Sequence, residues 1–274
     1  MLDRHLPRIW RYIDSGELSG SLNMAIDEAL LCLFDPEKSE PILRTYGWNP
    51  PALSLGRFQN AAEALDLDRC QNNNVTVVRR ISGGGTIYHA DELTYSIICT
   101  QPQIPPAASV KDSFRVLTGS LIEFYRSLGL NACYAVDVEP DSIGLGGRTA
   151  FCFAGKETFD ILIDGRKIGG NAQRRLKSVI FQHGSIPLIN RAHHGLQYMK
   201  DRTPGLAEHA ASLCDCGTHA DLAALKQLFV DSFRRHLEVS MCPSSLTEGE
   251  DLMARELEFG KYASEQWNLQ GEVE

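Results

Sequence analysis

Lys167 stands on the return limb of a short hairpin, and Cys152 stands 15 residues before it. Phe159 to Ile163 is a β-branched and aromatic run, and Asp164-Gly165 is a dipeptide that closes a tight β-hairpin, so a second strand starts at Arg166-Lys167. Directly behind it lies the small-residue stretch Gly169-Gly170-Asn171-Ala172. Two glycines weaken a strand and mark the close approach of another backbone or of a ligand. A lysine on a rigid hairpin beside such a gap is placed to meet a carbonyl or a phosphate. A cysteine that folds back toward its ammonium has a depressed pKa and more thiolate, the form that attacks acyl carbons. The competing reading of Cys152 is packing, as a small hydrophobe between Phe151 and Phe153.

A second constellation runs from Arg79 to His89, R-R-I-S-G-G-G-T-I-Y-H. A strand enters Ser82, Gly83, Gly84 and Gly85 and leaves through Thr86, Ile87 and Tyr88. Such a loop lacks blocking side chains, and its N–H groups can face an anion or an acyl oxygen. It is neither a P-loop nor a dinucleotide fingerprint, because the lysine and the glycine spacing of those motifs are missing. Taken alone, three glycines also suit a plain flexible turn. Arg79 and Arg80 directly before it favour a carboxylate- or phosphate-bearing ligand. His89 is available as a general base, although a lone histidine at a strand end is commonly just hydrogen-bonded. Arg57, in Gly56-Arg57-Phe58-Gln59-Asn60, forms a third polar cluster after a strand.

The elements that must position these groups are legible in outline. Residues 22–34 have the periodicity of an amphipathic helix. Residues 41–55 read as strand with an interruption at Pro50-Pro51, and strands follow at 75–80 and 94–100. Ser109 caps a helix whose apolar residues fall at 110, 114, 117, 121, 124 and 128, with Gly129 as its stop. After the hairpin, residues 179–189 read as strand. Beyond about residue 195, helical periodicity covers 221–237, and Thr247-Glu248-Gly249-Glu250 is a capping box opening a last helix. The expected fold is α+β: a mixed or antiparallel sheet flanked by helices in a catalytic domain over residues 1–195, with a small helical extension over 196–274.

Composition bounds the function. The 274 residues are 43% hydrophobic and 23% charged, which suits a globular domain with a real core. No stretch approaches the roughly 18 apolar residues of a membrane span, and Met1-Leu2-Asp3-Arg4-His5 opens no signal peptide. A cytoplasmic protein without a membrane partner is expected, its eight scattered cysteines reduced. Cys214-Asp215-Cys216 without a second cluster is a weak zinc signal, so no metal site is assigned. A net charge of −8 argues against nucleic acid as a partner. Yet six of the 27 lysines and arginines (Arg79, Arg80, Lys167, Arg174, Arg175 and Lys177) fall in or beside the segments above. A basic mouth on an acidic body steers an anionic substrate or an acidic protein to one place.

Together these segments resemble the biotin/lipoate ligase and acyltransferase superfamily. The resemblance spans nearly the whole chain: N-M-A-I-D-E-A-L-L, G-W-N-P-P-A-L-S-L-G-R-F-Q-N, R-R-I-S-G-G-G-T-I-Y-H, E-L-T-Y-S, G-R-K-I-G-G-N-A-Q-R-R, then Q-H-G-S-I-P-L with His183, and K-Y-A-S-E-Q-W-N. Two branches compete. In octanoyltransferases of the LipM type, a cysteine in a C-F motif 15 residues before the hairpin lysine forms an acyl-thioester. It takes octanoyl from acyl carrier protein and passes it to a lysine of a lipoyl-carrier protein, of the glycine cleavage H protein or lipoyl-domain kind. Cys152-Phe153 and Lys167 match that spacing. The resemblance then implies that Cys152 is the nucleophile, that Lys167 orients the acyl carbonyl, and that no cofactor is needed.

Lipoate-protein ligases instead adenylate the free acid with ATP and magnesium. Gly85, Arg57 and Gly170-Asn171-Ala172 resemble that branch, in which Lys167 and Arg80 hold carboxylate and phosphate and Cys152 is a spectator. A third reading, a carrier-binding module without catalysis, is opposed by the presence of Cys152, Lys167 and Arg80 together. In both enzymatic branches an octanoyl or lipoyl group is the substrate.

Overall fold

A computed structural model describes residues 8–138, 158–202 and 205–272. Its largest sheet has six strands in the order β10 (Asn171–Leu176), β11 (Val179–Pro187), β6 (Glu92–Thr100), β2 (Ile42–Trp48), β1 (Ile9–Leu18) and β13 (Ser240–Ser244). Pairing is antiparallel from β10 to β2 and parallel from β2 to β13, so the sheet is mixed. A second sheet joins β7 (Ala132–Tyr134), β8 (Ile161–Ile163), β9 (Arg166–Ile168) and β12 (Ala210–Ala211). A third places β3 (Ala52–Leu55) between β4 (Thr76–Arg79) and β5 (Ile87–His89). The four main helices are α1 (Gly20–Leu33), α4 (Val110–Ser127), α7 (Leu222–Leu237) and α8 (Glu248–Leu257). Shorter ones are α2 (Ala61–Ala64), α3 (Leu67–Asn72), α5 (Ala135–Val138) and α6 (Ala192–Leu196). None of the described helices is long and apolar enough to cross a membrane.

The six-stranded sheet is covered on both faces, which is why β6 and β11 are buried along all of their length. Side chains alternate along a strand, and alternate residues enter different cores. Leu93, Tyr95, Ile97 and Cys99 of β6 and Ile180 and Ile186 of β11 pack with α4 and α7. Ile98, Val179 and Phe181 pack with α1 and with Ala254 of α8. Each aliphatic or aromatic side chain fully buried in these layers contributes roughly 1.5–3 kcal/mol. The α+β expectation, a mixed sheet flanked by helices, matches this architecture.

The caps read from the sequence are present. Ser109 accepts from Asp112 N at the start of α4, Gly129 ends that helix region with φ +78°, and Thr247 and Glu250 form the capping box of α8. Residues beyond 195, expected as a helical extension, carry α7 and α8 but also two strands. β13 extends the edge of the main sheet beside β1, and β12 pairs with β9.

Candidate active site

A cleft opens between α1, the six-stranded sheet and the third sheet. Met24, Tyr46, Trp48, Ile87 and Ala172 give it apolar walls. Ser54, Arg80, His89, Thr94, Asn171 and His183 supply polar groups, and Gly84, Gly170 and Gly184 leave it unobstructed. An apolar slot with a few convergent polar groups suits an acyl chain with a reactive carbonyl at one end.

The α1 wall is held by a buried charge. Asn23 and Asp27, one helical turn apart, meet Arg44 of β2: Arg44 Nη1 lies 2.8 Å from Asp27 Oδ1 and Nη2 lies 2.8 Å from Asn23 Oδ1. Asp27 also accepts from Tyr46 Oη at 2.8 Å and Ser96 Oγ at 2.7 Å. A carboxylate so fully paired tolerates burial. His183 sits between this cluster and the glycine loop, with Nε2 2.6 Å from Ser82 Oγ and Nδ1 3.9 Å from Asp27 Oδ2. Burial, and then the charges of Arg80 and His89, push its pKa well below the usual histidine range, so its imidazole is neutral.

Arg80 braces the glycine loop. Its Nη1 donates to Ser54 O at 2.9 Å and to Ser54 Oγ at 3.1 Å, and its Nη2 donates to the carbonyls of Gly83 and Gly85 at 2.9 and 2.7 Å. Gly84 adopts φ +98° and borders the cleft, while a Cβ on Gly56 would run into the Gly84 carbonyl oxygen. Arg79 departs from the expectation of a ligand-binding residue. Its guanidinium is taken up by the carbonyls of Gly56, Arg57, Gln59, Trp267 and Leu269 at 2.6–3.2 Å, which ties the C-terminal segment to the loop. The reason lies in the β alternation: adjacent residues leave a strand on opposite sides, so only one arginine of the pair reaches the cleft.

Arg57 stacks over Trp267 at 4.3 Å, and its Nη1 is buried without a hydrogen-bond partner among the described residues. Tyr88 does not line the cleft; it packs on Tyr198 and His194 and borders a second cavity of about 340 Å³ that Glu92 also lines.

Lys167 is buried on β9, with Nζ 2.8 Å from Asp160 Oδ2. It is not among the residues lining the cleft. The hairpin that carries it closes through Asp164 and Gly165, both at positive φ. Gly169 then takes φ +77° against the Ser185 backbone, and Ser185 N donates to Gly170 O at 3.0 Å, so the glycine pair carries the chain from the second sheet into the first. Cys152, the expected nucleophile, lies outside the described residues.

Sequence reasoning missed Asp27, Arg44, Trp48, Ser54, Thr94 and Glu92. Asn23 and Asp27 carried a usable signal, as polar residues four apart on the face of α1 that must be buried. Glu92 is three residues from His89, and its Oε1 lies 2.7 Å from His89 Nδ1. His89 Nε2 lies 2.7 Å from Ser54 Oγ, and the ring stacks on Trp48 at 3.9 Å.

Known proteins match this arrangement over its full extent. An octanoyltransferase LipM of Halalkalibacterium halodurans is 33% identical over 273 residues, covering 95% of this chain and 98% of its own. One of Geobacillus kaustophilus is 35% identical over 272 residues with the same coverage. Among solved structures, a lipoate-protein ligase A with bound ATP superposes with a TM-score of 0.80 at 24% identity, covering 94% of this chain and 98% of the ligase, and so shares the fold. Residues 19–234, which hold the whole cleft, the glycine loop and the lysine hairpin, match the lipoyl protein ligase A/B catalytic domain, and the chain belongs to that family.

Proposed function

We propose that this protein is an octanoyltransferase that places an octanoyl group on a specific lysine of a lipoyl-carrier protein, in a cytoplasmic setting, through a thioester on Cys152. The observation that carries the reading is the near-full-length identity to octanoyltransferases. The cleft supports it, because its apolar walls suit a medium acyl chain and its lining also carries polar side chains.

On this reading the Cys152 thiolate attacks the thioester carbonyl of octanoyl-acyl carrier protein and the donor thiol departs. The carrier lysine then attacks the acyl-enzyme, forming an amide and releasing the Cys152 thiolate. One thioester replaces another in the first step, so no ATP is consumed. Lys167, fixed by Asp160 on a rigid hairpin, supplies the cation for the acyl carbonyl. The braced glycine loop supplies the nearby backbone dipoles, a kind of contribution worth roughly 3–4 kcal/mol per donor in hydrolases.

The fold shared with an ATP-bound ligase sustains one second reading, ATP- and magnesium-dependent attachment of the free acid. On that reading Arg80 and Gly84 of the glycine loop, both lining the cleft, would face the acid and its phosphate. Purified protein is incubated with a lipoyl domain and either octanoyl-acyl carrier protein alone or octanoate with ATP and magnesium. Acylation of the carrier in the first tube, without ATP, is the expected outcome. Acylation confined to the second would replace the transferase by the ligase.

A further inference from the structure

We infer that His89 takes up the proton that the carrier lysine sheds during acyl transfer, with Ser54 as the hydroxyl that relays it and Glu92 as the positioning residue. The inference rests on the transfer reading above and supplies the base that reading lacks.

Hydrogen-bond directions around His89 follow from which groups can only donate. Arg80 Nη1 lies 3.1 Å from Ser54 Oγ, and a guanidinium has no acceptor. Ser54 accepts there, and opposite a neutral imidazole whose Nδ1–H faces the acceptor-only Glu92 carboxylate it turns its own proton to His89 Nε2, 2.7 Å away. The basic nitrogen of the ring is thus Nε2, and Nδ1–H donates to Glu92 Oε1 at 2.7 Å. The indole Nε1 of Trp48 likewise only donates, to Thr94 Oγ1 at 2.8 Å, so the Thr94 hydroxyl donates onward to Glu92 Oε1. Ser185 Oγ donates to Glu92 Oε2 at 2.7 Å. Three donors converge on one buried carboxylate, and the Trp48 ring, 7° from coplanar with the imidazole, fixes its plane. Ser54 and His89 both line the cleft, whereas Glu92 stands behind them. This hydroxyl–imidazole–carboxylate order is the one that makes a histidine a proton acceptor.

The other histidine of the cleft, His183, is less suited, since burial and neighbouring charge disfavour its imidazolium and, among the described residues, the acid nearest its Nδ1 is Asp27 at 3.9 Å. The charged and titratable groups facing His89 are Glu92 from β6, Arg80 through Ser54, and His183 from β11, with Asp27, Arg44 and Tyr46 beyond it. The lysine attacks as a neutral amine, and once its nitrogen has bonded to the acyl carbon it is cationic. Its proton passes to Ser54 Oγ as Ser54 gives its own to Nε2. The C–S electron pair then leaves on the cysteine sulfur, and the amide is formed. The imidazolium opposite Glu92 returns its proton to solvent or to the thiolate.

The test loads wild type, His89→Gln, Glu92→Gln and Ser54→Ala with octanoyl and chases each with a lipoyl domain or with hydroxylamine, whose addition intermediate gives its proton to water unaided. Transfer to the lipoyl domain is expected to fall ~10²-fold in His89→Gln while the hydroxylamine rate stays within about threefold. Ser54→Ala, which changes no charge, should share the pattern. Glu92→Gln, which replaces the carboxylate opposite the imidazolium with an amide, should slow transfer to the lipoyl domain while the hydroxylamine rate holds. Equal slowing with both nucleophiles, or undiminished transfer to lysine, overturns the inference. A wild type that holds no octanoyl group retires the cysteine route instead, and the same chase on its octanoyl-adenylate complex then decides the role of His89.

Discussion

At the residue scale, Lys167 joins structure to chemistry. Its ammonium is buried against Asp160, so it serves as a fixed charge and also neutralises a carboxylate that burial would otherwise penalise. Lys167→Ala should destabilise the fold by about 3–5 kcal/mol, because it removes one member of a buried ion pair. Pairing Lys167→Met with Asp160→Asn should recover most of that loss in urea unfolding while transfer activity stays absent. An unimpaired stability in Lys167→Ala would show that the pair carries no structural charge balance. Lys167 was legible in the sequence because D-G places a hairpin unambiguously, whereas Asp160 was not, since nothing in F-D-I marks an aspartate that must pair seven residues on. The Arg79-Arg80 pair makes the opposite point. Composition singled out both arginines, and only the strand alternation separates the one that braces the cleft from the one that binds five carbonyls.

At the element scale, the site depends on where the chain changes sheets. Residues Gly169 and Gly165 both have positive φ, yet a Cβ at Gly165 meets nothing within 4 Å while one at Gly169 would strike the Ser185 carbonyl oxygen. Gly165→Ala should therefore cost only the left-handed backbone penalty of about 1–2 kcal/mol. Gly169→Ala should cost at least about 2 kcal/mol more, since β9 and β11 must part. Equal midpoints for the two variants in denaturant would refute the close-approach argument. Helix caps and the hairpin were readable because their signals are local. The strand β13 was not. Its Pro243 argues against a strand, and its partner β1 lies more than 220 residues earlier, so only the tertiary fold makes it an edge strand.

For the whole molecule, the sequence supports a two-faced sheet with helices on each side, and the cleft forms where the small third sheet meets its α1 face. The acid, base and arginine contacts that line this meeting point come from α1, β2, β3, β5, β6 and β11, and no local pattern could have assembled them. On the proposed transferase route the chain becomes a covalent acyl carrier at Cys152. Intact-protein mass spectrometry after mixing with octanoyl-acyl carrier protein, on wild type and Cys152→Ala with no nucleotide present, reads that adduct. A hydroxylamine-labile octanoyl adduct on wild type that Cys152→Ala lacks is the predicted result. A wild type that stays unmodified while Cys152→Ala still acylates a lipoyl domain from octanoate and ATP would contradict it.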